Sequence, residues 1–159
     1  MVAKILIFKL FFILITFTTI TSGKTIYGKA KVIDGDTIHI NKDKIRLHGI
    51  DAPETNQTCD KKGLIWSCGI ESTNFLKKII GKNKIECIAK GEDRYSRLIG
   101  ICYIDDLNLN SEMVANGWAI AYRYYSLDYI MEEEEAKRKK IGIWSGNFEE
   151  PYLFRKKNR

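Results

Sequence analysis

Two acidic turns with an arginine between them carry the chemistry this chain can offer. Val32-Ile33-Asp34-Gly35-Asp36-Thr37 is followed by Ile45-Arg46-Leu47-His48-Gly49-Ile50-Asp51-Ala52-Pro53-Glu54. If the strands between them pair, the carboxylates of Asp36, Asp51 and Glu54 gather at one end of a small sheet, with Arg46 beside them. Phosphodiester cleavage needs charge neutralised on the phosphate, a positioned water and a stabilised leaving oxygen. Hard cations such as calcium take oxygen ligands, which carboxylates from two turns can supply. A guanidinium is planar, always charged and bidentate, so it grips a phosphate well. Arg46 and Arg97 are the two arginines beside turns at strand ends. Glu54 can orient or deprotonate the attacking water. Singly, each feature is ordinary: Asp-Gly is a common hairpin turn, and a lone arginine on a strand is usually solvated. Their joint occurrence carries the reading.

The elements that must position these residues are short. Thr25 to Ile33 leads into the Asp34-Gly35 turn. Thr37-Ile38-His39-Ile40 and Ile45-Arg46-Leu47 alternate apolar and polar residues, separated by Asn41-Lys42-Asp43. Period two puts Ile38, Ile40, Ile45 and Leu47 on a core face and turns Arg46 off it. His39 and His48 share the polar parity and read as surface residues. Gly49 to Gly69 is mostly loop. Ile70 to Ile80 is a predicted helix with Phe75, Leu76, Ile79 and Ile80 on one stripe and Gly81 as its stop. Lys84 to Ala89 and Arg97 to Ile104 are two further strands, the second apolar on both parities and therefore expected to be covered on both sides. A short helix over 110–116 stops at Gly117, and Trp118 to Tyr122 is extended. The last helix opens at a Ser126 cap and runs through Glu132–Glu135 to Lys137–Lys140, an order that complements the helix dipole. Its charge run reads as a solvated face laced by pairs four apart. Ile143-Trp144 is expected to fold back onto the core. Five short strands with helices inserted late suggest an α+β chain dominated by a β-barrel: a five-stranded Greek-key barrel of the OB type with about three helices.

The chain has 159 residues, one domain's worth, long enough for a sizeable core. At 45% apolar and 29% charged residues it is globular rather than disordered. Lys4 and Lys9 flank and interrupt an apolar block from Ile5 to Phe17, with small and hydroxyl residues to Ser22-Gly23. Residues 1–23 therefore read as a secretory signal peptide, with an uncleaved membrane anchor as the alternative. Export, to the periplasm or outside the cell, follows. Residues 24–148 form the folded domain, and 149–159 a loose basic tail. Without Lys4 and Lys9, 24 basic residues stand against 20 acidic ones, about +4; this suits an anionic partner without demanding one. The four cysteines, Cys59, Cys68, Cys87 and Cys102, allow three pairings. Two disulfides in an oxidising compartment are the plain reading. Bridging Cys59 to Cys68 would staple the long loop, and Cys87 and Cys102 lie on neighbouring predicted strands. A zinc site is disfavoured because no Cys-x-x-Cys spacing occurs.

With these motifs in order, the chain resembles the staphylococcal nuclease (thermonuclease) family from about Lys29 to Trp144. The resemblance rests on Ile33-Asp34-Gly35-Asp36-Thr37, on Arg46-Leu47 with Gly49 to Glu54, and on Asp93-Arg94-Tyr95-Ser96-Arg97. Gly117-Trp118-Ala119, Glu135-Ala136-Lys137 and Gly142-Ile143-Trp144 match as well. It implies a secreted calcium-dependent nuclease on an OB barrel, cutting DNA and RNA with little sequence preference, monomeric and with no obligate protein partner. By the same resemblance Asp36, Asp51 and the Ala52 carbonyl would hold Ca²⁺, Arg46 and Arg97 the scissile phosphate, and Glu54 the water. Arg94, Tyr95 and one of Tyr122, Tyr124 and Tyr125, with Tyr124 chosen here, would contact the nucleotide, the aromatics by stacking. Two departures stand out. The usual Tyr-Gly-Arg is Tyr95-Ser96-Arg97, which at positive φ costs about 1 kcal/mol and could shift Arg97. Ala52 replaces a threonine, harmless if only its carbonyl binds. Binding-only relatives of this barrel typically lose the acidic and arginine set, whereas Asp36, Arg46, Asp51, Glu54 and Arg97 are all present.

Overall fold

The alternating runs do form the strands that the acidic turns hang on. The computed structural model describes residues 23–158. In chain order these are β1 (Thr25–Val32), β2 (Thr37–Ile40), β3 (Asp43–Leu47), β4 (Ile50–Asp51), β5 (Cys59–Lys61), β6 (Leu64–Trp66), α1 (Cys68–Ile80), β7 (Lys84–Glu92), β8 (Leu98–Ile104), β9 (Leu107–Asn108), α2 (Leu109–Ala115), β10 (Ile120–Ala121) and α3 (Ile130–Lys139). A 3₁₀ turn over Gly142–Ser145 and α4 (Pro151–Lys157) complete the chain. Of the predicted signal peptide or anchor over residues 1–23, residues 1–22 lie outside the described residues. Among the described residues no helix is long and apolar enough to cross a membrane.

Strands run β3-β2-β1-β7-β8 through antiparallel pairs, and a parallel pairing of β3 with β8 closes them into a five-stranded barrel. The closing register sets Ile45 beside Leu98 and Arg46 beside Ile99. Ile38, Ile40, Ile45 and Leu47 are all fully buried, as period two requires. Each such side chain contributes roughly 1.5–3 kcal/mol of burial free energy. Leu76 and Ile80 of α1 and Leu109, Met113 and Val114 of α2 pack onto the same core. Asn110, fully buried, splices the closure: its amide donates to the His48 and Gly100 carbonyls and accepts from Cys102 N. Both disulfides form between sequence neighbours in the fold, Cys59–Cys68 stapling the hairpin β5–β6 to α1 and Cys87–Cys102 joining register partners on β7 and β8. Cross-links of this kind typically stabilise by about 2–4 kcal/mol.

Several elements differ from the sequence reading. Among the described residues there are four α-helices, not about three. β8 is covered on its inner face only, since Ile99, Ile101 and Tyr103 stay half-buried. The last long helix starts at Ile130 rather than at Ser126, whose hydroxyl instead accepts from Asp128 N in a local turn. Its charge run is not wholly solvated either. Glu133 is 1% exposed, accepts from Ala121 N, and is paired by Arg123 and Lys137. It thus ties α3 to β10. Glu133→Ala is expected to cost about 3 kcal/mol, because two cations and a buried N–H lose their acceptor at once; a loss of less than about 1 kcal/mol in urea unfolding would reduce it to a surface charge. Most unlike expectation is the tail. Residues 151–157 form a helix with Pro151 buried at its first turn, and its side chains reach the acidic turns.

Candidate active site

The first acidic turn is shaped by its own side chains. Asp34 Oδ1 accepts from Asp36 N (2.9 Å), and Ile33 N donates to the Thr37 carbonyl (2.9 Å) to close the β1–β2 connection. Gly35 is required there, because a Cβ would lie 2.1 Å from Ser72 Oγ and 2.7 Å from Ala52 Cβ. The turn therefore sits directly against α1 and the second acidic segment. β2 sets Thr37 opposite Arg46 on β3, and Leu47 N donates to the Asp36 carbonyl (2.8 Å). Asp51 is delivered by β4, which pairs with β10 through Asp51 and Ile120.

These elements bring Asp36, Arg46, Asp51, Ala52 and Glu54 together. The Arg46 guanidinium bridges Asp36 Oδ1 and Asp51 Oδ1, both at 2.7 Å. Ala52 N donates to Asp36 Oδ2 at 3.0 Å, so the two carboxylates and the Ala52 peptide converge. Glu54 follows in a loop held by Gln57, whose N–H donates to the Glu54 carbonyl (2.8 Å) while its side-chain oxygen accepts from Glu54 N (3.2 Å). Gly69 lets α1 come this close: a Cβ there would meet the Glu54 carbonyl oxygen at 1.7 Å.

A sixth participant was not foreseen from the sequence. Arg155 of α4 donates from Nη1 to Glu54 Oε1 (2.9 Å) and from Nη2 to Asp51 Oδ1 (2.8 Å) and Oδ2 (3.1 Å). Gln57, also missed, is fully buried and donates to the Glu149 carbonyl (2.6 Å). The one signal for this docking was composition: Phe148, Pro151, Tyr152 and Phe154 make the tail too aromatic to be a solvated extension.

Charge is unbalanced in this cluster. Asp34, Asp36, Asp51 and Glu54 face two guanidiniums. Burial, then the like charge of Asp36, pushes the Asp34 carboxyl up to about 7. Burial and Asp36 push Asp51 up to about 6 despite the pull of Arg46 and Arg155. Burial disfavours the charge on Arg46, but Asp36 and Asp51 outweigh it and hold the guanidinium protonated above its ordinary range. A surplus of negative charge on oxygen donors, with no nitrogen or sulfur among them, fits a hard divalent cation. Among the described residues no group of three or more His, Cys, Asp or Glu side chains is arranged to hold a metal. Asp36, Asp51 and the Ala52 carbonyl would therefore have to be completed by water.

Arg97 is engaged by Asp93 rather than by these carboxylates. Ser96 adopts φ of 58°, the left-handed conformation that glycine takes freely. Asp93 secures the turn: its Oδ1 accepts from Tyr95 N and Arg97 N, and its Oδ2 from the Arg97 guanidinium at 2.7–2.8 Å. These bonds hold the Asp93 carboxyl below its ordinary value against the opposing effect of burial. Arg94 and Arg97 both lie over the Tyr95 ring, 4.9 and 5.7 Å from its centroid. Tyr124, 82% exposed, and Tyr122 line a groove of about 560 Å³ with Asp51, Arg123, Trp144 and Tyr152. Burial and the nearby Asp51 raise the Tyr122 phenol, while Tyr125 packs edge-on against both other rings.

Comparison with known proteins agrees with this architecture. The family model described as "Staphylococcal nuclease homologue" matches residues 44–146. An uncharacterized endonuclease of Haemophilus influenzae is 34% identical over 151 residues, covering 91% of this chain and 80% of that protein. A micrococcal nuclease of Shigella flexneri is 31% identical over 147 residues, covering 81% and 79%. A protein named for succinoglycan biosynthesis in Rhizobium meliloti is 34% identical over 127 residues, covering 77% and 66%.

Proposed function

The chain belongs to the staphylococcal nuclease family and is a nuclease that hydrolyses phosphodiester bonds of nucleic acids; from that premise we propose that it is calcium-dependent, cuts both DNA and RNA with little sequence preference, and works outside the cytoplasm. The observation that carries the reading is the Asp36–Arg46–Asp51 bridge, joined to Glu54. Asp36, Asp51 and the Ala52 carbonyl are the cation's ligands. When bound, the cation supplies positive charge against the phosphate and offsets the surplus carboxylates.

The remaining roles follow from residue chemistry. Arg46 presents the scissile phosphate with a guanidinium already oriented by two carboxylates, so little reorganisation is needed as charge builds. Arg97, at the mouth of β8 beside β3, supplies the second guanidinium once it exchanges Asp93 for phosphate. Glu54 accepts a hydrogen bond from the attacking water and draws off its proton. Arg94, Tyr95 and Tyr124 hold flanking nucleotides by charge and stacking, contacts that carry no base code. Low sequence preference follows. Two disulfides and the apolar leader support an oxidising, exported setting.

Plasmid DNA and a structured RNA incubated with the oxidised protein are both degraded in calcium and left intact in chelator. Equal degradation in chelator would remove the calcium requirement. No degradation at any calcium concentration, by protein shown to be folded, would leave only a nucleic-acid-binding barrel.

A further inference from the structure

The C-terminal helix lies beyond the stretch matched by the family model, which ends at residue 146, yet it touches the carboxylates on which the chemistry depends. We propose that Arg155 is a positioning residue of the nuclease centre, which holds the Glu54 carboxylate in place and makes the C-terminal segment an integral part of the active site. The inference rests on the nuclease reading given above.

Three observations carry it. First, one guanidinium spans two carboxylates, with Nη1 on Glu54 and Nη2 on Asp51. Arg155 is 23% exposed and Asp51 not at all, so the contact is partly desolvated, unlike a surface pair. Second, Glu54 is held at both ends by the same segment. Its side chain is gripped by Arg155, and its backbone by Gln57, whose amide passes on to the Glu149 carbonyl. A buried glutamine with both ends of its amide committed between these two places leaves little freedom to either.

Third, the helix is seated rather than self-supporting. Seven residues are too few to be helical alone in water. Asp60 and Asn147 exchange two backbone hydrogen bonds, 2.8 and 2.7 Å. Phe148 packs on the cluster of Cys59, Cys68, Ile120 and Ile143, and Pro151 is buried. Such anchoring brings a guanidinium from 101 positions away onto Glu54. Glu54 is otherwise one-third exposed, on a loop, with three rotatable side-chain bonds. Unrestrained, it would visit several rotamers and present its oxygen to the water in only some of them.

The test compares kcat and KM for calcium-dependent cleavage of a labelled DNA oligonucleotide by the full-length oxidised protein and three variants, Arg155→Ala, Arg155→Lys and Lys156→Ala. Thermal unfolding of each is measured in parallel. A misplacement of about 1 Å can cost about 100-fold, so Arg155→Ala is expected to lose roughly that in kcat with KM changed by less than about threefold. Arg155→Lys, which keeps a single charged donor, should recover part of the loss. Lys156→Ala, an exposed cation on the same helix, should cleave like the parent protein. If Arg155→Ala does not fold, Arg155→Lys decides: reduced kcat at unchanged melting temperature supports the proposal, and parental kcat overturns it. A fall below threefold for Arg155→Ala, a change confined to KM, an equal fall in Lys156→Ala, or a gain in activity would each overturn it. A parent protein that does not cleave counts against the nuclease reading instead, so the two failures are distinguishable.

Discussion

Arg46→Ala is expected to lower the rate of phosphodiester cleavage about a thousandfold, the scale of losing one preorganised donor to a developing oxyanion. The size follows from how the guanidinium is held. Both of its arms are already committed to Asp36 and Asp51 at 2.7 Å, so its plane is fixed before any phosphate arrives. Lysine offers neither the plane nor the second arm, and Arg46→Lys should recover little of the rate. Stability should move as well. Asp36 and Asp51 are almost wholly buried, and removing their shared partner leaves Asp36 without a cation and Asp51 with Arg155 alone, a loss of about 3–5 kcal/mol. Calcium at the same carboxylates should restore part of that loss, so the variant's melting temperature is expected to rise more on calcium addition than the parent's. Single-turnover cleavage and melting curves with and without calcium check both halves. A rate within tenfold of the parent would remove Arg46 from the chemistry, and an unchanged melting temperature would show that water already compensates the two carboxylates.

The barrel was legible because its signal is local and repeated. Ile38, Ile40, Ile45 and Leu47 alternate with polar residues, and the same alternation turned Arg46 out of the core toward the turns. Asp36, Arg46, Asp51 and Glu54 sit within one stretch whose turns and register can be read from residue types alone, and the structure gathers all four. Pairings that depend on distant chain were not legible. Nothing within the tail distinguishes Arg155 from the neighbouring Lys156 and Lys157. Only docking of α4, through Gln57 and Asp60 far upstream, selects it. Glu133 is hidden in a run of four glutamates, and only the approach of β10 and Arg123 singles it out for burial. The unbroken apolar run of β8 misled in the opposite direction, because a strand apolar on both faces found a cover on only one. Ser96 was legible as a local strain, while the Asp93 bonds that engage Arg97 depend on a turn geometry that residue type does not specify.

Glu54→Gln is expected to reduce the cleavage rate by about 10²–10⁴, the range for loss of a general base, while the melting temperature and KM stay close to those of the parent. The separation is possible because Glu54 is one-third exposed and the amide keeps its shape. Its backbone bonds to Gln57 are untouched by the change. What the amide lacks is the negative charge needed to take a proton from water. The same variant resolves whether Arg155 acts through Glu54 or independently. If Arg155 serves only to hold that carboxylate, then Arg155→Ala added to Glu54→Gln should cost almost nothing further, since residues acting as a unit are strongly non-additive. If instead Arg155 contacts the phosphate directly, the two losses should multiply. A double variant slower than Glu54→Gln by the full factor seen for Arg155→Ala alone would assign Arg155 to substrate rather than to Glu54. A single-variant rate within fivefold of the parent would mean that the water is activated elsewhere, and the carboxylate at 54 would then be only the anchor that seats the C-terminal helix.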